Sequence, residues 1–104
     1  MKFKELDPLL HSELRLAIMS ILISVEFADF SFIKETTGAT SGNVSVQIDK
    51  LNNAGYISVK KEFEGKYPKT TCSITKIGTD AFDNYVKALK SYIEKSGQPG
   101  KNPA

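Results

Sequence analysis

The chain has 104 residues, a length that allows one compact domain with its own hydrophobic core and leaves no room for a second. Hydrophobic residues make up 40% and charged residues 25%, which are the proportions of a globular protein rather than a disordered one. A net charge of +2 is too small to establish a polyanionic partner by itself. A single Cys and a single His exclude an internal disulfide and a Cys/His zinc cluster within one chain.

Long hydrophobic runs are missing from the sequence. The longest nearly apolar stretch, residues 16–23, is interrupted by Ser20, whereas a membrane span needs about 20 residues. The first ten residues carry acidic side chains and no small-residue cleavage site, so we predict no signal peptide. We therefore expect a soluble, cytoplasmic protein that has no membrane partner and no metal or cofactor.

The first helical pattern lies between His11 and Ser24, with Ser12 as its predicted N-cap. Apolar positions cover nearly the whole circumference of this helix, so it must be covered on more than one side. A second copy of the chain could supply part of that cover. The apolar positions are Leu14, Leu16, Ala17, Ile18, Met19, Ile21, Leu22 and Ile23.

Two further helical patterns follow with a short turn between them. Ser31 is the predicted N-cap of a short helix, and Gly38 is placed to end it in a left-handed conformation. Thr40 and Ser41 then open a second helix, which ends at Gly55. The inward positions of that helix are Val44, Ile48 and Leu51. Two helices joined by a short turn that contains Gly form the outline of a helix-turn-helix.

From Tyr56 the hydrophobic period changes to two, which predicts a β-hairpin. The first strand is expected to leave the core at Lys61. The segment 64–69 contains Gly and Pro, which predicts a loop at the tip of the hairpin. The inward positions are Ile57, Val59 and Phe63 on the first strand and Thr70, Cys72 and Ile74 on the second.

The last helix is predicted from about Thr75 to Lys95. Its apolar stripe favours core or dimer packing over a small-molecule pocket. The stripe comprises Ala81, Phe82, Tyr85, Leu89 and Tyr92, with Val86 and Ile93 beside it. Residues 96–104 hold two Gly and two Pro and are predicted to form a disordered tail. The domain is thus expected over residues 1–95, in the α+β class and mostly helical.

Four sequence motifs occur in an order that is typical of a known family. They are LRLAIM at residues 14–19, TSGNVS at 40–45 continuing to LNNAGYI at 51–57, FEGKYPKT at 63–70, and ITKIG at 74–78. These motifs resemble the first helix, the recognition helix with its exit, the wing and the start of the final helix of MarR/ArsR-like winged helix-turn-helix transcriptional regulators. The resemblance covers about residues 6–93. It implies three N-terminal helices, a two-stranded wing hairpin and a long C-terminal helix.

The resemblance also implies a function. Such proteins bind double-stranded DNA as homodimers, which would place the helix at about 41–54 in the major groove and the wing at about 64–69 on the backbone or minor groove. A major groove admits an α-helix. The candidate DNA contacts are Thr40, Ser41, Asn43, Ser45, Val46, Gln47, Lys50, Lys66, Tyr67 and Lys69.

Side chains on the outer face of the recognition helix supply the chemistry that base reading needs. Asn43 and Gln47 can pair bidentately with adenine, and Val46 can touch a thymine methyl group. Ser and Asn are also ordinary on a capped surface helix, so these residues alone leave a structural role open. Lys66 and Lys69 flank Tyr67 at the expected hairpin tip, an arrangement suited to phosphate contacts.

Positive charge is concentrated in the predicted DNA-binding half. Residues 34–76 contain seven Lys and four acidic residues, whereas residues 1–33 contain three basic and five acidic residues. Phosphate neutralisation requires such a distribution, although solvated lysines on exposed strands would give the same count. Asp49 places an acid near the expected phosphates, and Lys60 and Lys61 can compensate for it.

We expect a homodimer formed by the first and last helices, because a monomer would expose their surplus apolar surface. The predicted interface residues are Leu16, Met19, Ile23, Val86, Leu89 and Ile93. The alternative is a winged-helix protein-interaction module that has no specific DNA binding.

No catalytic motif is present, so an enzyme is not expected. Cys72 has the inward strand parity and is expected to be a buried, unreactive thiol, and His11 is expected to be structural or solvated. No residue pattern identifies a small-molecule effector.

Overall fold

A computed structural model describes residues 3–96, which form four helices and three strands. The elements are, in chain order, α1 (Glu13–Ile23), β1 (Ala28–Asp29), α2 (Phe30–Thr37), α3 (Ser41–Asn53), β2 (Ile57–Glu64), β3 (Tyr67–Ile74) and α4 (Lys76–Ser96). The predicted order of three helices, a hairpin and a long helix is confirmed. The predicted tail lies outside the described residues except for Ser96, which ends α4.

The helix ends follow local capping chemistry. At the start of α3, the Thr40 hydroxyl oxygen accepts a hydrogen bond from the backbone N–H of Asn43 at 3.2 Å. Gly38 ends α2 with φ 71°, in the left-handed region. The predicted N-cap Ser31 is wrong. Asp29 occupies that position instead, and its carboxylate accepts from the Phe32 amide at 2.8 Å.

The sheet has three antiparallel strands in the order β1-β3-β2. Strand β1 was not predicted, because two residues are too few to show a period of two. The predicted loop at 64–69 is also too long, because Gly65 and Lys66 alone form the turn and Glu64 pairs with Tyr67. Pro68 fits within β3 because β1 pairs with Cys72 and Thr71 and leaves the edge beside Pro68 open.

One hydrophobic core lies between the helices and the base of the sheet. Its fully buried members come from α1, α2, α3, the two long strands and the segment before α1: Leu10, Ile18, Met19, Leu22, Ile33, Val44, Leu51, Ile57 and Cys72. The expected inward position of Phe63 is wrong, because that side chain is 76% exposed. Phe63 shares its strand face with buried residues, but the hairpin has already left the core at that point.

The segment that precedes α1 connects several parts of the fold. The Asp7 carboxylate accepts hydrogen bonds from the Leu9 amide at 2.9 Å and from the Tyr56 hydroxyl at 2.5 Å. Farther toward the N-terminus, the Phe3 ring stacks on Tyr92 of α4 with 4.6 Å between ring centroids. The segment therefore connects α4 to the junction between α3 and β2.

Candidate DNA-binding surface

Helix α3 is held in place from beneath by the predicted inward stripe. Val44 and Leu51 are fully buried and Ile48 is nearly so, which fixes the rotation of the helix about its axis. The opposite face is therefore presented to solvent. Of the predicted DNA contacts, Ser41, Asn43, Ser45, Val46 and Lys50 are exposed on α3, and the N-cap Thr40 is exposed beside them; the acidic Asp49 is exposed on the same helix.

The predicted base-reading pair is engaged in a chain of hydrogen bonds. Gln47 Nε2 donates to Asn43 Oδ1 at 2.9 Å, and Gln47 Oε1 accepts from Arg15 Nη1 at 2.5 Å. Arg15 Nε in turn donates to the Leu9 carbonyl at 2.6 Å. Gln47 is half-buried, and both ends of its side-chain amide already have partners within the same chain, unlike the free bidentate group expected from the sequence.

Sequence reasoning missed the part that Arg15 plays. The residue belongs to the LRLAIM motif, and its sequence distance from Gln47 is 32 residues. The available signal was the single cation of a mainly apolar helix, since such a side chain needs a polar partner when it is half-buried.

The wing tip is exposed and carries both charge and aromatic surface. Lys66 lies in the two-residue turn, and Tyr67 is 78% exposed at the start of β3. The predicted place of Lys69 at a loop tip is wrong, because Lys69 lies within β3 and its ammonium contacts the Glu64 carboxylate at 3.2 Å. The hydrogen bond and the charge of Glu64 raise the pKa of Lys69.

The two faces of the hairpin differ in what they approach. Successive strand residues point to opposite faces, so the face that carries buried Cys72 also carries Lys61 and Thr70. A cleft of about 230 Å³ lies between this face and α3, and its lining includes Lys61 together with Ser45 and Asp49. Lys69 lies on the opposite face. Lys61 is therefore closer to α3 than Lys69 is.

Comparison with known proteins identifies the fold family. Residues 14–93 match the family model of the winged helix DNA-binding domain. The chain belongs to this winged-helix family. An uncharacterized protein of Methanocaldococcus jannaschii is 33% identical over 76 residues, which are 73% of this chain and 83% of that protein.

Solved winged-helix structures show the same architecture. A transcriptional regulator homologue from Pyrococcus horikoshii OT3 has a TM-score of 0.79 and 28% identity, covering 86% of this chain and 89% of its own. Bacillus subtilis PadR, solved in complex with operator DNA, has a TM-score of 0.66 and 18% identity, covering 89% of this chain and 62% of its own. At 18% identity the likeness to PadR concerns the fold alone. The family model describes a DNA-binding domain, and the Pyrococcus horikoshii structure is described as that of a transcriptional regulator homologue.

The predicted interface residues of this winged-helix chain fall into three groups. Met19 is fully buried in the hydrophobic core of the chain, so its assignment to a dimer interface is wrong. Leu16 and Val86 are half-buried. The exposed members are Ile23 at 40%, Leu89 at 41% and Ile93 at 66%.

The single Cys and the single His of the sequence both contact other parts of the fold. Cys72 is buried, and burial raises the pKa of its thiol to about 11. The thiol is therefore protonated and unreactive at neutral pH. His11 Nδ1 lies 3.0 Å from the Tyr85 hydroxyl, in hydrogen-bond contact. Within residues 3–96 no group of three or more potential ligands is placed to hold a metal ion, and no helix is long and apolar enough to cross a membrane.

Proposed function

We propose that the protein is a sequence-specific transcriptional regulator of the MarR/ArsR-like type, which binds double-stranded DNA as a homodimer. In this proposal α3 enters the major groove and the tip of the wing contacts the backbone or the minor groove. The observation that carries the proposal is the exposed polar face of α3, since the buried stripe beneath it leaves short polar side chains outward on a helix of fixed orientation.

The proposed contacts divide by chemistry. Asn43 and Ser45 are neutral and exposed on α3, so they are assigned to base edges together with Ser41, Val46 and Thr40. Lys50, Lys66 and Tyr67 are assigned to phosphates, and Lys61 is added to them because of its place beside α3. Gln47 supports Asn43 rather than reading a base itself.

The homodimer is proposed to use the apolar surface left on α1 and α4. Ile23, Leu89 and Ile93 are exposed, and Leu16 and Val86 retain part of their surface. A two-fold dimer would present two recognition helices to successive major grooves about 34 Å apart.

The competing function is a protein-interaction module. An open groove of about 850 Å³ on the outer face of the wing favours it, because exposed apolar side chains line one wall. These side chains are Val25 at 40%, Phe27 at 62% and Phe32 at 50% exposure.

Selection from a random pool of DNA duplexes, at a fixed salt concentration, tests the proposed function. We expect enrichment of a site with two related halves, followed by binding that weakens steeply as salt rises. Asn43→Ala should lower affinity for the enriched duplex roughly 5- to 100-fold while changing affinity for random duplexes little.

Glu94→Ala, an exposed change far along α4, serves as the matched control and should leave both affinities unchanged. An unenriched pool, or binding that does not respond to salt, would contradict the proposal and favour the protein-interaction module.

A further inference from the structure

Four groups form a hydrogen-bond network that ends on the proposed base-reading surface. Arg15 donates to the Leu9 carbonyl at 2.6 Å and to the Gln47 side-chain amide at 2.5 Å, and Gln47 donates to the Asn43 side-chain amide at 2.9 Å. Asn43 is exposed, whereas Arg15 and Gln47 are half-buried. The network thus connects a partly buried anchor to a group at the surface.

The polarity of this network is fixed by chemistry. A guanidinium carries donors and no acceptor, so the Gln47 atom that faces Arg15 must be the oxygen Oε1. The Gln47 amide nitrogen then faces Asn43, and the atom that receives its hydrogen must be Oδ1. Asn43 Nδ2 is left with its donor hydrogens uncommitted to any group within residues 3–96.

We propose that Arg15 is a positioning residue that sets the base preference of Asn43. This inference rests on the proposed function. With Oδ1 turned toward Gln47, Asn43 presents donors to the major groove. Guanine offers two acceptors there, N7 and O6, whereas thymine offers O4 alone, adenine combines an acceptor with an amino donor and cytosine presents an amino donor. The position read by Asn43 is therefore a guanine.

Arg15 suits this role because its planar fork is held at two points. Nε donates to the Leu9 carbonyl while Nη1 donates to Gln47. The Leu9 carbonyl therefore orients the guanidinium, which in turn orients the Gln47 side-chain amide. A lysine has donors but lacks the fork that would reach both partners in a fixed geometry. Without a cation at this position, the Gln47 and Asn43 amides can turn, and Asn43 regains the bidentate pairing with adenine.

The first test compares base preference at the position whose selectivity disappears in Asn43→Ala. The wild type should favour guanine over adenine there by roughly tenfold. Arg15→Met removes the donors and should bring the two bases within about twofold, and Arg15→Lys should restore part of the preference. Lys87→Met, on α4 away from the site, removes the same charge and should keep the guanine preference.

A second variant tests the polarity without removing the anchor. Gln47→Glu keeps the size of the side chain and pairs with Arg15, but it has no hydrogen to donate to Asn43. The Asn43 amide must then turn and donate inward, which presents its oxygen to the groove. We expect the preferred base to change from guanine to cytosine or adenine, both of which offer an amino hydrogen.

The outcomes separate the two proposals. A wild type that binds every duplex equally contradicts the proposed function. A wild type that selects a site but prefers a base other than guanine at the Asn43 position overturns the inference alone, as does an unchanged guanine preference in Gln47→Glu. Thermal unfolding of each variant shows whether it is folded, and if Arg15→Met is unfolded, Gln47→Glu decides.

Discussion

Lys66 and Lys69 carry the same charge and lie three residues apart, but the hairpin gives them different surroundings. Lys66 is exposed in the turn, whereas Lys69 contacts Glu64 on the face that points away from α3. The sequence predicted both cations and could not separate them, because the separation depends on where the turn begins. The presence of Pro68 led to the prediction of a loop over residues 64–69, which is longer than the observed turn of Gly65 and Lys66.

The first prediction uses this difference. Lys66→Ala should reduce the slope of log affinity against log salt concentration by about one unit, since one phosphate contact is lost. Lys69→Ala should change the slope by clearly less, because its ammonium already has a carboxylate partner. Titrations of an enriched and a random duplex at several salt concentrations measure both slopes, with Lys87→Ala as the remote control. Equal slope changes for the two wing variants would contradict this assignment.

Tyr56 gives a second residue-scale prediction, which concerns pH. Burial, and then the hydrogen bond to Asp7, raise the pKa of Tyr56 to about 12 from the ordinary value of 10.0. A raised folded-state pKa means that the stabilisation is complete below pH 10 and is lost as pH rises toward 12. The free energy of unfolding should therefore fall over this range, by about 1–2 kcal/mol after solvent screening of a partly exposed group.

Denaturant unfolding of the wild type and Tyr56→Phe between pH 8 and pH 12 measures the effect of Tyr56 alone, because other titrations occur in both proteins. The stability advantage of the wild type should shrink above pH 10. An advantage that stays constant across the range would show that the phenol is not the titrating group.

At the scale of elements, the hydrophobic period predicted all four helices and the hairpin, and Gly38 and Thr40 marked the boundary between α2 and α3. The 3.6-residue period of Val44, Ile48 and Leu51 also gave the outer face of α3 correctly. Tertiary pairing decided what local pattern could not. Strand β1 exists because Ala28 and Asp29 pair with β3, and Arg15 meets Gln47 across the fold rather than along the chain.

The junction between α3 and α4 yields the third prediction. Thr75 donates to the Gly55 carbonyl at 2.6 Å and accepts from the Gly78 amide at 3.0 Å, which brings the start of α4 against the exit of α3. A Cβ at Gly78 would lie 2.0 Å from the Tyr56 carbonyl oxygen. Gly78→Ala should therefore lower the free energy of unfolding by about 1–3 kcal/mol despite its better helix propensity.

Gly42→Ala is the matched control for Gly78→Ala. Gly42 lies in α3, and a Cβ there meets no heavy atom within 4 Å. Its replacement should stabilise the protein by about 0.5–1 kcal/mol through helix propensity alone. Chemical denaturation of both variants gives the comparison, and the close-approach argument fails if Gly78→Ala is as stable as Gly42→Ala.

At the scale of the whole molecule, the described residues extend 64 Å along the longest axis and 26 and 21 Å along the other two. The 21-residue helix α4 carries exposed apolar side chains at Leu89 and Ile93. The sequence predicted a surplus of apolar surface on α1 and α4, but it could not tell that Met19 belongs to the core, because α1 is apolar on nearly all sides.

The fourth prediction concerns assembly. Sedimentation equilibrium at micromolar concentration should show a dimer, and Leu89→Glu or Ile93→Glu should shift it to monomer and weaken binding to a two-half site. Ile77→Glu is the control, because Ile77 is 61% exposed at the opposite end of the same helix. A wild-type monomer under these conditions would rule out the proposed dimer.

The short strand β1 makes the base of the hairpin more stable than its tip. Asp29 pairs with Thr71 and also caps α2, so the base of the hairpin is joined to the helix-turn-helix, and Cys72 beside it is fully buried. Backbone amides near Cys72 should exchange hydrogen with solvent through global unfolding, whereas those near Gly65 should exchange through local fraying. In the proposed complex, the DNA groove would therefore contact the tip of the hairpin, which is the part that changes conformation at the lowest cost in free energy.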